Sequence, residues 1–206
     1  MLKKALFIFL YILWRGIAIR GIPSDYAPYL MSYHQLGAKV LLVGMGFILF
    51  HKYLWRSLKS IHLLEQIKIC LAVLLGIILT IGLINFILFH NSNPFVFNYP
   101  VAERTPQFVF LALIVAPIFE ELFYRYSIIY LGKKRWLRRL SVAASPLFFA
   151  LSHMANVGGN LFALYPFLVI GIYLTMAYLW KKNIWTSIFA HMAYNLTVMI
   201  LAVVMG

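Results

Sequence analysis

Three short clusters of polar residues stand out in a chain that is otherwise apolar. Glu120 and Glu121 sit side by side in Pro117-Ile118-Phe119-Glu120-Glu121-Leu122-Phe123-Tyr124-Arg125. His153 closes Phe149-Ala150-Leu151-Ser152-His153, and His191 opens His191-Met192-Ala193-Tyr194-Asn195. Carboxylates and imidazoles can accept and release protons, the work of a general base. In an apolar helix two carboxylates and an arginine cost a few kcal/mol per charge on insertion scales, so they face a bundle interior, pair or act. Spacing sorts them. Glu121 and Arg125 are four apart, share a helix face and are expected to form an ion pair. Glu120 points about a quarter-turn away and has no partner on its own helix, which suits a general base. Structural readings stand beside these: Glu121 and Arg125 as glue between helices, and Glu120 as the partner of a residue on another helix.

The elements that must position these residues follow from composition. The chain has 206 residues, of which 64% are hydrophobic and 11% charged, and its mean hydropathy is +0.89. A soluble fold of this size cannot hide so much apolar surface, which excludes a soluble enzyme, a disordered chain and a secreted disulfide scaffold. Seven apolar stretches are expected as helices: Ala5–Ile19, Leu36–Phe50, Ile69–Phe89, Phe108–Ile129, Leu140–His153, Leu161–Trp180 and Ile184–Met205. The first, second and fifth are short against the roughly 20 residues that a span needs. Asn91–Pro106, rich in Asn and Pro, reads as a linker between two halves. Cys70 lies inside an apolar run and reads as a small buried hydrophobe.

The net charge of +13 has a topological cause rather than a nucleic-acid partner. With the N-terminus inside, the inner segments hold Lys3, Lys4, Lys52, Arg56, Lys59, Lys68, Lys133, Lys134, Arg135, Arg138, Arg139, Lys181 and Lys182. The outer ones hold Arg20, Lys39 and Arg104, with Arg15 and Arg125 inside stretches. That asymmetry sets the N-terminus inside and the C-terminus outside. Counting residues from the ends of the stretches puts Glu120 about 12 Å and His191 about 10 Å from the inner face of the hydrocarbon core, but His153 about 20 Å.

Glu-Glu-x-x-x-Arg at 120–125, Phe-x-x-x-His at 149–153 and His-x-x-x-Asn at 191–195, in that order and each in its own apolar stretch, resemble the CPBP family. These are the CAAX-protease and bacteriocin-processing (ABI) intramembrane glutamic endopeptidases. The run from Asn183 to His191, with Gly171 before it, is similar to the family's last motif region, and the resemblance covers about residues 105–200. It implies that Glu120 and His153 activate a water, that His191 and Asn195 stabilise the oxyanion, and that Glu121, Arg125 and Phe149 organise the site. Tyr126 departs from the pattern, because family members commonly carry a small residue there.

The expectation is an all-α, polytopic transmembrane helix bundle of about seven spans, a single membrane domain over 1–206. Helices in 1–104 carry no motif, and 105–206 resembles the protease core. The resemblance implies a bacterial multi-pass cell-membrane endopeptidase that uses no cofactor and no metal. Its partners would be a peptide or membrane-protein substrate and the lipid bilayer, and a role in bacteriocin self-immunity would add a bacteriocin or its receptor. Two alternatives stay open. One is a zinc-dependent intramembrane protease built from the same His and Glu residues, although no HExxH puts two histidines on one helix. The other is a non-catalytic membrane scaffold or immunity factor that binds a partner through the polar cavity. Topology is directly testable: reporters fused after Gly206 should report an outside terminus, and reporters within 133–139 an inside loop. A C-terminus found inside would overturn the charge-based assignment.

Overall fold

The computed structural model describes residues 2–20, 27–89 and 105–204, with side chains for 2–14, 36–88 and 105–204. The side chains of Arg15 and Arg20, the linker residues 91–104 and Gly206 lie outside the described residues. Long apolar sequences satisfy their backbone groups internally as helices, which is the solution a bilayer demands. The described residues accordingly contain helices and turns and no strand. Seven long helices run in order: α1 (Leu2–Arg20), α2 (Ala27–Lys59), α3 (Leu63–Phe89), α4 (Pro106–Ile128), α5 (Arg135–Ser152), α6 (Tyr165–Lys181) and α7 (Ile184–Val204).

Five of these contain segments long and apolar enough to cross a membrane: Leu36–Lys59, Leu63–Leu88, Pro106–Ile128, Phe162–Lys181 and Ile184–Val204. The all-α, multi-pass expectation therefore holds; the fifth stretch is not among the five, and the first runs beyond the residues whose side chains are described. The reason is visible in α5, which begins at Arg135 and carries Arg138 and Arg139 in its first turns, so it buries just the part around Ser145–Ala150. The second stretch is longer than its apolar core suggests. α2 has 33 residues, about 50 Å, against a hydrocarbon thickness of about 30 Å.

Helix α4 is the hub, packed against α1, α2, α5 and α7, while α3 covers α6 and α7. Phe7 and Tyr11 of α1 lie on Phe119 and Phe123 of α4, with the Tyr11 and Phe123 ring centroids 4.4 Å apart. Tyr126 belongs to this seam. Its ring stacks on Tyr53 at 4.2 Å and meets Phe50 edge-on at 4.8 Å. Lys4 lies 4.2 Å from its ring centroid and donates to its carbonyl. The bulk that departs from the family pattern is thus spent on docking α1 and α2. Close by, at the end of α2, Asn183 donates to Ser57 O at 2.7 Å while its Oδ1 caps the Trp185 N–H, which ties the start of α7 to α2. Cys70 is half-buried and accepts from Gln66 Nε2.

Candidate active site

The backbone of α4 is irregular where the carboxylates sit. Thr105 caps its start by accepting from Phe108 N, and Pro106 takes the first turn, where its missing N–H costs nothing. After one turn the helix widens into π geometry over Leu111–Val115, returns to α over Ala116–Glu120, and widens again over Glu121–Ile128. Such π turns are rare and concentrate at functional sites. Ala116 N–H bonds back to Leu111 O. The next N–H in that register would serve Ala112 O, but residue 117 is proline and has none. Asn195 of α7 supplies it instead: its Nδ2 donates to Ala112 O at 2.8 Å.

Glu121 and Arg125 are fully buried, and the ion pair expected from their spacing is present, with Arg125 NH1 3.2 Å from Glu121 Oε1. The same oxygen accepts from His191 Nδ1 at 2.9 Å. Arg125 NH2 donates to Gly171 O at 3.2 Å, and the guanidinium lies 4.6 Å from the Phe149 ring centroid. Among the described residues, Glu121 Oε2, Arg125 Nε and Arg125 NH1 have no hydrogen-bond partner, so Coulomb attraction rather than a bidentate fork holds this pair. Gly171 permits the close approach. A Cβ there would stand 3.1 Å from Pro146 Cα and 3.2 Å from the Phe149 ring.

Glu120 points elsewhere and finds its partners on other helices. Lys39 Nζ of α2 is 3.6 Å from its Oε1, and His191 Nε2 is 3.9 Å from its Oε2. The agreement in depth between Glu120 and His191 is therefore reproduced. His153, at the C-terminal end of α5, holds Nδ1 2.8 Å from Phe149 O and 3.2 Å from Ser152 Oγ. With Nδ1–H donated to that carbonyl, Nε2 keeps its lone pair. The His153 ring stacks on Phe167 at 4.3 Å and lies within electrostatic reach of Glu120. Phe149 is the spacer of the site, 4.7 Å from His153 and 5.7 Å from His191 by ring centroids.

Glu120, Glu121, Arg125, Phe149 and His191 thus touch one another directly, His153 stands beside them, and Asn195 is engaged one turn along α7. Lys39 was hidden to sequence reasoning because it was counted with the outer charges, near the outer end of the expected stretch Leu36–Phe50, whereas α2 begins at Ala27. A lysine among the apolar residues of an outer helix end, where topology disfavours it, was the available signal. Among the described residues no group of three or more His, Cys, Asp or Glu is arranged to hold a metal ion.

Residues 103–197 match the family described as type II CAAX prenyl endopeptidase, Rce1-like. No curated protein and no solved structure gives a significant match.

The role of Asn195 is measurable by itself. Asn195→Ala leaves the Ala112 carbonyl unpaired, at a cost of about 1–3 kcal/mol. It should lower the thermal unfolding temperature of the purified protein in detergent as well as any activity. An unchanged unfolding temperature would mean that the amide does not hold α4.

Proposed function

We propose, from the match of residues 103–197 to the Rce1-like family of type II CAAX prenyl endopeptidases, that this membrane protein is a glutamic-type endopeptidase in which Glu120 is the base. The observation that carries this reading is the separation of two adjacent carboxylates. Glu121 is consumed by Arg125 and His191, whereas Glu120 is partly exposed and faces the imidazole of another helix.

In this mechanism Glu120, with the His153 imidazole within electrostatic reach, takes a proton from water as the water oxygen attacks the scissile carbonyl carbon. The same proton then passes to the departing amine nitrogen as the C–N bond breaks. His191 serves the oxyanion through Nε2. Its Nδ1–H is given to Glu121, so Nε2 donates once it has received the water proton from Glu120, whose Oε2 it faces. Asn195 is the second donor implied by the family. It would have to exchange the Ala112 carbonyl for the oxyanion, so its part in chemistry is coupled to the shape of α4. Arg125 and Phe149 hold Glu121 and the two histidines in register.

No metal or cofactor takes part in this scheme. The substrate is a peptide or membrane protein reaching the site from the bilayer, and the resemblance to the CPBP family supports a setting in bacterial self-protection against a bacteriocin. A second reading, a non-catalytic immunity factor, draws on one observation: Glu120 and Asn195 are both already engaged, by Lys39 and by Ala112.

The test is cleavage of fluorogenic peptides by the purified chain, with membrane abundance followed in parallel. Glu120→Gln and His153→Ala should each abolish cleavage at wild-type abundance, and a strong chelator should leave cleavage intact. Wild-type cleavage in both variants would overturn this mechanism, whereas a wild-type chain that cleaves no peptide would favour the scaffold reading. Activity lost together with stoichiometric zinc would establish the metal one.

A further inference from the structure

Helix α2 lies outside the segment matched to the family, yet it delivers a charge to the site. Lys39 Nζ stands 3.6 Å from Glu120 Oε1, with the lysine side chain 24% exposed and the glutamate 13%. The other charges that reach Glu120 are His191 from α7, His153 from α5 and Arg125 from α4 itself. Tyr124, also on α4, lies close enough to feel its charge and reaches Tyr11 of α1. Arg125 is committed to Glu121 and the Gly171 carbonyl. Among the described residues, Lys39 is therefore the cation left to balance Glu120.

Charge counting gives this contact its meaning. Two carboxylates set against Arg125 and Lys39 make a neutral site with both histidines uncharged. Without Lys39, an anionic Glu120 would need a proton on His153 or His191, or would take one up itself. Each of those states removes a lone pair that a base needs. The contact also aims the group, because Oε1 faces Lys39 while Oε2 faces His191.

We propose that Lys39 is a positioning residue that keeps Glu120 ionised and turned toward His191, so that the N-terminal half of the chain completes the site. This rests on Glu120 acting as the base, and the experiment separates the two ideas. Infrared difference spectra would be recorded at neutral pH on the full chain in vesicles of phosphatidylethanolamine and phosphatidylglycerol, with Glu120→Gln identifying the Glu120 band. Lys39→Met should convert that band from carboxylate to protonated carboxyl, the ionised-to-protonated ratio falling at least about tenfold. Lys39→Arg should restore the carboxylate. Lys39→Gln, which keeps a polar group at the position, should behave as Lys39→Met does. In peptide cleavage, Lys39→Met should lose a similar factor in kcat with KM unchanged, and should regain it as pH is raised. A Glu120 band identical in wild type and Lys39→Met would overturn the proposal. So would a loss of cleavage that neither Lys39→Arg nor higher pH restores, which would mark Lys39 as packing alone. Cleavage that survives Glu120→Gln would refute the protease mechanism, while the spectra would still decide the role of Lys39.

Discussion

Glu121 is a carboxylate with no access to solvent, and most of the site's architecture follows from satisfying it. One of its oxygens is shared by the Arg125 guanidinium and His191 Nδ1, which brings α4 and α7 together. Arg125 in turn needs an acceptor and finds the Gly171 carbonyl on α6. Its flat face needs a neighbour and finds Phe149 on α5. Four helices are thereby fixed around one buried charge pair. Such a pair is a poor source of stability, since desolvation offsets its Coulomb energy, but it is unforgiving of the loss of one partner. Its value here is geometric: it sets the rotation of α4, and with it the direction of Glu120.

The irregular backbone of α4 serves the same end. Pro117 breaks the hydrogen-bond series, the π turns on either side absorb the break, and Asn195 reaches from α7 to cover the exposed carbonyl. Small residues then let the neighbours close in. Gly171 admits Pro146 and Phe149, and Gly46 of α2 faces Leu122 and Phe7, where an added Cβ would meet Leu122 at 2.9 Å. Tyr126 does not crowd the site. It faces away and joins α1 and α2 to the hub through Tyr53, Phe50 and Lys4.

Much of this was legible in the sequence because local spacing carried it. The four-residue interval between Glu121 and Arg125 required a shared helix face, and residue counting put Glu120 and His191 at one depth. The helical, multi-pass character followed from apolar content alone. What could not be read depended on other helices. Lys39 resembled a loop charge until α2 proved to begin at Ala27. Asn195 resembled a free donor, because the carbonyl it serves is orphaned by a proline on α4. Phe149, a motif residue with no chemistry of its own, became intelligible once Arg125 and both histidines were seen around its ring. Helix α5 was misjudged in extent because its basic first turns, from Arg135, precede the Leu140 at which hydropathy begins the stretch.

The claim that the Glu121–Arg125 pair governs the packing of this bundle is tested most directly by a double-mutant cycle on unfolding in detergent. Glu121→Gln and Arg125→Met should each destabilise by roughly 3–5 kcal/mol, because each strands a buried charge or its partner. The double variant, which buries no uncompensated charge, should be destabilised by much less than the two together, giving a coupling of at least about 1 kcal/mol. Strictly additive losses would contradict the account, since they would mean that the two side chains act on the fold independently.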